Sequence, residues 1–205
     1  VDYCKSIAPN IKYIECCNEP ELSSFGALNS EEYYKIYMTA YRAVKTLNKT
    51  RGYDIPLLIG GDGVPSPLVR IDLWSGFLKL LSETKTEEAP IDFYSYHHYD
   101  IGARSNLLRA GFVKESDETG IVERYRMISE LHEQLRRKYG LPRAPLFMDE
   151  WGKGSATGNL YDNLLNATGN IITMNGQVHG VLGDFKTFPW CTFHNPELQI
   201  SYTQY

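Results

Sequence analysis

Ile11-Lys12-Tyr13-Ile14-Glu15-Cys16-Cys17-Asn18-Glu19-Pro20 passes from an apolar run directly into a polar turn that carries a carboxylate. Its first seven residues read as a strand, and Asn18-Glu19-Pro20 closes it. The pattern recurs at Pro145-Leu146-Phe147-Met148-Asp149, an apolar strand closed by Asp149-Glu150-Trp151-Gly152. Between these two runs lie Pro56-Leu57-Leu58-Ile59-Gly60 and Ile91-Asp92-Phe93-Tyr94-Ser95-Tyr96, and after them a strand that starts near Gly180-Val181-Leu182-Gly183 and continues toward Trp190.

Helical periodicity fills the intervals. The spacing of Tyr34, Tyr37, Met38, Tyr41 and Val44 predicts a helix from about Ser30 to Leu47, capped by Asn29 or Ser30, with Glu31 and Glu32 in its first turn. Leu73, Trp74, Phe77, Leu78 and Leu81 mark a second helix. Ile121, Tyr125, Ile128, His132 and Leu135 mark a third, from Gly120 to Tyr139, stopped by Gly140 and Pro142. A fourth is expected around Leu160 to Met174. Gly60-Gly61-Asp62-Gly63 lacks the rest of a dinucleotide fingerprint and reads as a strand-to-helix turn.

Strands alternating with helices imply parallel pairing and right-handed crossovers. An open doubly wound sheet and a (β/α)8 barrel both satisfy this, and both place polar residues at the carboxyl ends of strands. The length of 205 residues, 42% hydrophobic and 22% charged, suits a single domain spanning 1–205. A net charge of −4 with no basic block argues against a nucleic-acid partner, and no apolar run is long enough to span a bilayer. Residues 1–20 lack the succession of a signal peptide. Cys4, Cys16, Cys17 and Cys191 form neither a CxxC pair nor zinc-ligand spacing, and read as small buried hydrophobes. The 15 Tyr, 8 Phe and 3 Trp suit a cleft that stacks sugar rings, and equally suit core packing.

Chemistry enters at the strand ends. Glu19 and Glu150 at the tops of two barrel strands are the groups a retaining glycosidase needs: one protonates the leaving oxygen, the other attacks the anomeric carbon from the opposite side. Taken singly, each glutamate also reads as a helix cap or ion-pair partner. Tyr96-His97-His98-Tyr99-Asp100 lies between them, offering hydrogen bonds to a nucleophile and a sugar hydroxyl, or else metal ligation by His97, His98 and Asp100. Adjacent ligands are geometrically awkward, so no metal is expected. His132-Glu133 fails the HExxH pattern because Arg136 occupies the second histidine position.

The stretch Tyr13 to Leu22, with Phe25, Glu31-Glu32-Tyr33 and Tyr37, resembles clan A glycoside hydrolases, and family 39 above all, the family of β-xylosidases and α-L-iduronidases. The family pattern reads Phe-Glu-x-Trp-Asn-Glu-Pro-Asn-Leu, then Phe-Trp and a Glu-Glu-Tyr helix start. The resemblance continues in order through Gly60-Gly61, Ile91-Asp92-Phe93, His97-His98-Tyr99, Pro145 to Trp151 and Trp190-Cys191-Thr192-Phe193. Cys17 stands where the family usually has Trp, Glu21 where it often has Asn, and His194-Asn195 replaces a more acidic segment.

The resemblance implies an α/β partial (β/α)8 TIM barrel comprising parallel strands four to eight, with strands one to three before Val1. It implies Glu19 as acid/base and Glu150 as nucleophile, with Asn18, His97, Tyr99, Trp151 and Trp190 lining the substrate. It also implies an oligosaccharide or glycoside substrate, no cofactor, and a secreted or periplasmic location. Open barrel edges suggest self-association. Two rivals stand beside the glycosidase: a carbohydrate-binding protein without turnover, and a metal-dependent hydrolase using the histidine pair.

Overall fold

A computed structural model describes residues 1–64, 70–86, 89–99, 108, 111, 114, 121–152 and 185–189. Its elements are α1 (Asp2–Ile7), β1 (Tyr13–Glu15), α2 (Ser30–Arg51), β2 (Leu58–Val64), α3 (Ile71–Ser82), β3 (Phe93–Tyr99), α4 (Ile121–Lys138), β4 (Leu146–Gly152) and β5 (Phe185–Pro189). The strands form one five-stranded sheet in chain order, β1-β2-β3-β4-β5. β1 runs parallel to β2, and β4 parallel to β5. The order never reverses, so the doubly wound alternative falls and the α/β-barrel type of sheet stands. The chain divides into two compact units, one of Val1–Val64, Asp72–Ser95 and Leu135–Pro145, the other of Pro65–Ile71, Tyr96–Gln134 and Leu146–Tyr205. No helix among the described residues is long and apolar enough to cross a membrane.

In the first unit, α2 starts where its capping chemistry requires. The Asn29 side chain accepts from the backbone N–H groups of Glu31 and Glu32, and Glu32 reaches back to the Asn29 N–H at 3.0 Å. The helix ends at Gly52, in the left-handed region, a turn later than periodicity predicts. Its buried stripe is Tyr33, Tyr37, Met38, Tyr41 and Val44, with Tyr33 in place of the expected Tyr34. Tyr34 sits at the margin, its hydroxyl 2.6 Å from Thr84 Oγ1. The Phe77 ring of α3 packs 4.8 Å from Tyr33 and 5.1 Å from Tyr37, joining the two helices through aromatic contacts. All five α3 residues expected inside are buried.

The Gly60–Gly63 segment is strand rather than turn. The glycines are needed because neighbours come too close for any side chain. A Cβ on Gly60 would lie 2.3 Å from the Phe93 carbonyl oxygen, and one on Gly61 2.4 Å from the Tyr33 hydroxyl. The expected strand starts also shift, since β3 opens at Phe93 and runs on through His97 and His98 to Tyr99. Asp92, just before it, accepts from the Ile59 N–H at 2.9 Å and from Lys45 Nζ at 3.0 Å, tying β2, β3 and α2 together.

α4 buries Ile128, Leu131, His132 and Leu135; Leu131 is absent from the expected stripe, and the side chains of Ile121 and Tyr125 lie outside the described residues. Gly140, at φ 64°, ends it with the Leu141 N–H on the Arg136 carbonyl. The cysteines correct the sequence reading. Cys4 is exposed on the short α1, and Cys16 and Cys17 are half-buried. Cys191, the Leu160 to Met174 helix and Gly180 to Gly183 lie outside the described residues.

Candidate active site

Glu19 belongs to the first unit, and His97, Asp149 and Glu150 belong to the second. Glu19 follows β1 in a loop closed on itself: the Leu22 N–H bonds the Glu19 carbonyl, and the Leu28 N–H bonds that of Pro20 at 2.8 Å. Its own backbone sits at φ 39°, a left-handed conformation that costs a non-glycine residue about 1–3 kcal/mol. The neighbouring strand holds it there. The Glu19 N–H donates to the Gly63 carbonyl at 3.1 Å, and the Gly63 N–H donates to the buried Ser95 Oγ at 3.2 Å. A hydrogen-bonded chain thus runs from the Ser95 hydroxyl of β3 through the β2 backbone to the backbone of Glu19, whose side chain is half-buried. Pro20 and Glu21 are buried beneath it, and Asn18 is exposed.

Glu15, half-buried, lies against the same glycine. A Cβ at Gly63 would fall 2.1 Å from Glu15 Oε1 and 3.0 Å from the Cys17 carbonyl. Cys16, beside Glu15, has its thiol pushed up to about 11, mainly by burial and secondarily by its acidic neighbours.

In the second unit, β3 presents His97 and His98, both almost fully buried. Consecutive strand residues face opposite sides, so the two imidazoles do not converge on one ion. Asp100 lies outside the described residues. His97 faces β4, where its Nδ1 is 3.5 Å from Glu150 Oε2 and its Nε2 is 3.8 Å from Asp149 Oδ1. Asp149 and Glu150 are adjacent, and a regular strand would turn them to opposite faces. β4 avoids this with a bulge. Met148 pairs with Thr187 and Trp151 with Pro189, so Asp149 and Glu150 together oppose Phe188 alone. Burial keeps the neighbouring Tyr96 phenol protonated well above its usual range, and the Asp149 charge acts in the same direction.

His97, Asp149 and Glu150 therefore form one cluster, in which a buried imidazole stands between two carboxylates. Such a ring can orient a carboxylate and balance its charge. The sequence offers Asp149 only as the nucleophile of second choice; its place beside His97 depends on the bulge and was not legible there. The Tyr99 and Trp151 backbones lie in β3 and β4, but their side chains, and all of Trp190, lie outside the described residues.

No protein-family profile matches the sequence, and no curated protein matches it. Solved structures do. A glucosidase from Croceicoccus marinus superimposes with a TM-score of 0.59 at 19% identity, over 86% of this chain and 32% of its own. A family 39 β-xylosidase from Caulobacter crescentus gives 0.56 at 19%, over 87% and 32%. The family 39 enzyme of Xanthomonas axonopodis pv. citri gives 0.57 at 20%, over 92% and 35%. The fold is part of a (β/α)8 barrel, similar to that of these glycoside hydrolases, and the chain spans about a third of the length of these three.

Proposed function

We propose that this chain carries the catalytic pair of a retaining glycoside hydrolase of the family 39 type, with Glu19 as acid/base and Glu150 as nucleophile. The observation that carries the reading is the Glu150 carboxylate, half-buried in a strand, with His97 Nδ1 3.5 Å away. The backbone strain at Glu19 supports it, because a carboxylate held against its own conformational preference is a mark of functional sites. The likeness to barrel glycosidases supplies the reaction class.

In this mechanism Glu150 attacks the anomeric carbon, forming an acylal bond as the glycosidic C–O bond breaks, while Glu19 gives its proton to the departing oxygen. Glu19, now a carboxylate, takes a proton from water. That water attacks the anomeric carbon and releases Glu150. In retaining enzymes generally the two carboxyl groups stand about 5–5.5 Å apart. Asn18 would meet the sugar 2-hydroxyl, and His97, Tyr99, Trp151 and Trp190 would line the sugar site. The substrate is an oligosaccharide or glycoside, met in a secreted or periplasmic setting.

The test uses aryl β-glycosides of graded leaving-group ability on the intact protein. Glu150→Gln abolishes turnover for every leaving group. Glu19→Ala mainly slows poor leaving groups, stalls as a glycosyl-enzyme, and recovers with azide to give a glycosyl azide of retained configuration. A folded Glu150→Gln protein with near-normal turnover would exclude Glu150 as nucleophile.

A further inference from the structure

The bulge in β4 does more than present Glu150. It turns Asp149 to the same imidazole, 3.8 Å from Nε2, while Glu150 stands 3.5 Å from Nδ1. His97 is 2% exposed, so solvent has little part in orienting the ring. Its rotation is two-fold and broad unless its nitrogens are distinguished by what they face. In its own unit the carboxylates facing it from the adjoining strand are these two, one for each ring nitrogen. Burial disfavours a charged ring, and the two carboxylates act against this: each favours a proton on the nitrogen it faces, so with one on either edge the arrangement favours a ring protonated at both.

We propose that Asp149 is a positioning residue. Its charge, 3.8 Å from Nε2 and so acting as an ion-pair partner rather than a hydrogen-bond acceptor, favours the ring orientation that presents Nδ1–H to Glu150, and the nucleophilic carboxylate is thereby held in one orientation. This rests on Glu150 being the nucleophile. The link between Asp149 and His97 stands on geometry alone and is measurable separately. A structural alternative, in which Asp149 only stabilises the strand, predicts altered stability and no change in the state of the ring.

The experiment combines kinetics with nitrogen-15 NMR of the histidine side chains, using the intact protein and its Asp149→Asn and Glu150→Gln variants. At neutral pH the wild-type His97 ring is expected to carry protons on both nitrogens, and Asp149→Asn to convert it to a neutral ring with one bare nitrogen. With aryl β-glycosides, Asp149→Asn should lower kcat about 100-fold, the scale for a misplaced reacting group, and leave KM within about twofold. Asp149→Glu should restore part of the rate. A neutral His97 ring in the wild type overturns the proposal, even if no variant folds. So does an unchanged ring in Asp149→Asn, or unchanged kcat in a variant whose ring has altered. If instead Glu150→Gln keeps its turnover while Asp149→Asn still changes the ring, the nucleophile assignment fails and the Asp149–His97 link survives.

Discussion

Replacing Gly63 by Ala tests whether the backbone behind Glu19 is as constrained as its geometry implies. Two costs add. Gly63 sits at φ 58°, where an L-residue loses about 1–2 kcal/mol relative to its preferred conformations. The new methyl would also fall 2.1 Å from Glu15 Oε1 and 3.0 Å from the Cys17 carbonyl, contacts that force a shift. Overpacking of that kind costs about 1–3 kcal/mol. Together they give a loss of roughly 2–5 kcal/mol, a large part of a total stability of roughly 5–15 kcal/mol. Urea unfolding should show a lower midpoint with an unchanged m-value. Glu15→Ala removes the nearer obstacle and leaves the φ cost and the Cys17 carbonyl contact, so a double-mutant cycle should return a favourable coupling of about 1 kcal/mol, part of the overpacking cost. The reasoning is refuted if Gly63→Ala stays within about 0.5 kcal/mol of the wild type. Strict additivity of the two substitutions would refute the collision part alone.

Asn29→Ala should cost about 1 kcal/mol by removing the acceptor for the Glu31 and Glu32 N–H groups, and Asn29→Ser should recover most of it, read by thermal unfolding. Iodoacetamide at pH 8 should label the exposed Cys4 first and Cys16 slowly, because the Cys16 thiol is held up to about 11; mass mapping against time checks the order. The same shift makes Cys16 contribute stability that is whole below pH 9.0 and lost as pH rises toward about 11, since the unfolded chain ionises first; Cys16→Ser should flatten that part of the stability–pH curve.

The sequence exposed the parts of this molecule that depend on period. α3 shows five apolar residues at helical spacing, and all five are buried. The capping box at Asn29 is a local signal as well. What stayed illegible depends on contacts between distant residues. Gly60 and Gly61 look like turn glycines until Phe93 and Tyr33 are found pressed against them. Tyr33 and Tyr34 are indistinguishable by composition, and only the Phe77 ring and Thr84 hydroxyl decide which one goes inside. In the candidate site, Glu19, Glu150 and His97 were legible as polar residues at strand ends. Asp149 was legible only as a second-choice nucleophile, and its approach to His97 was not, because the extra residue in β4 is defined by the pairing of Met148 with Thr187 and Trp151 with Pro189, on a partner strand far along the chain.

That extra residue has a genetic consequence. Met148 to Trp151 on β4 matches Thr187 to Pro189 on β5 with one residue to spare. An in-frame loss of the Asp149 codon would leave every other pairing partner in place and straighten the strand. Alternation would then allow one carboxylate, rather than two, in the space opposite Phe188. Sequences with a sound sheet and one carboxylate fewer beside His97 thus lie a single three-nucleotide deletion away, so the cluster can be lost without the fold being lost.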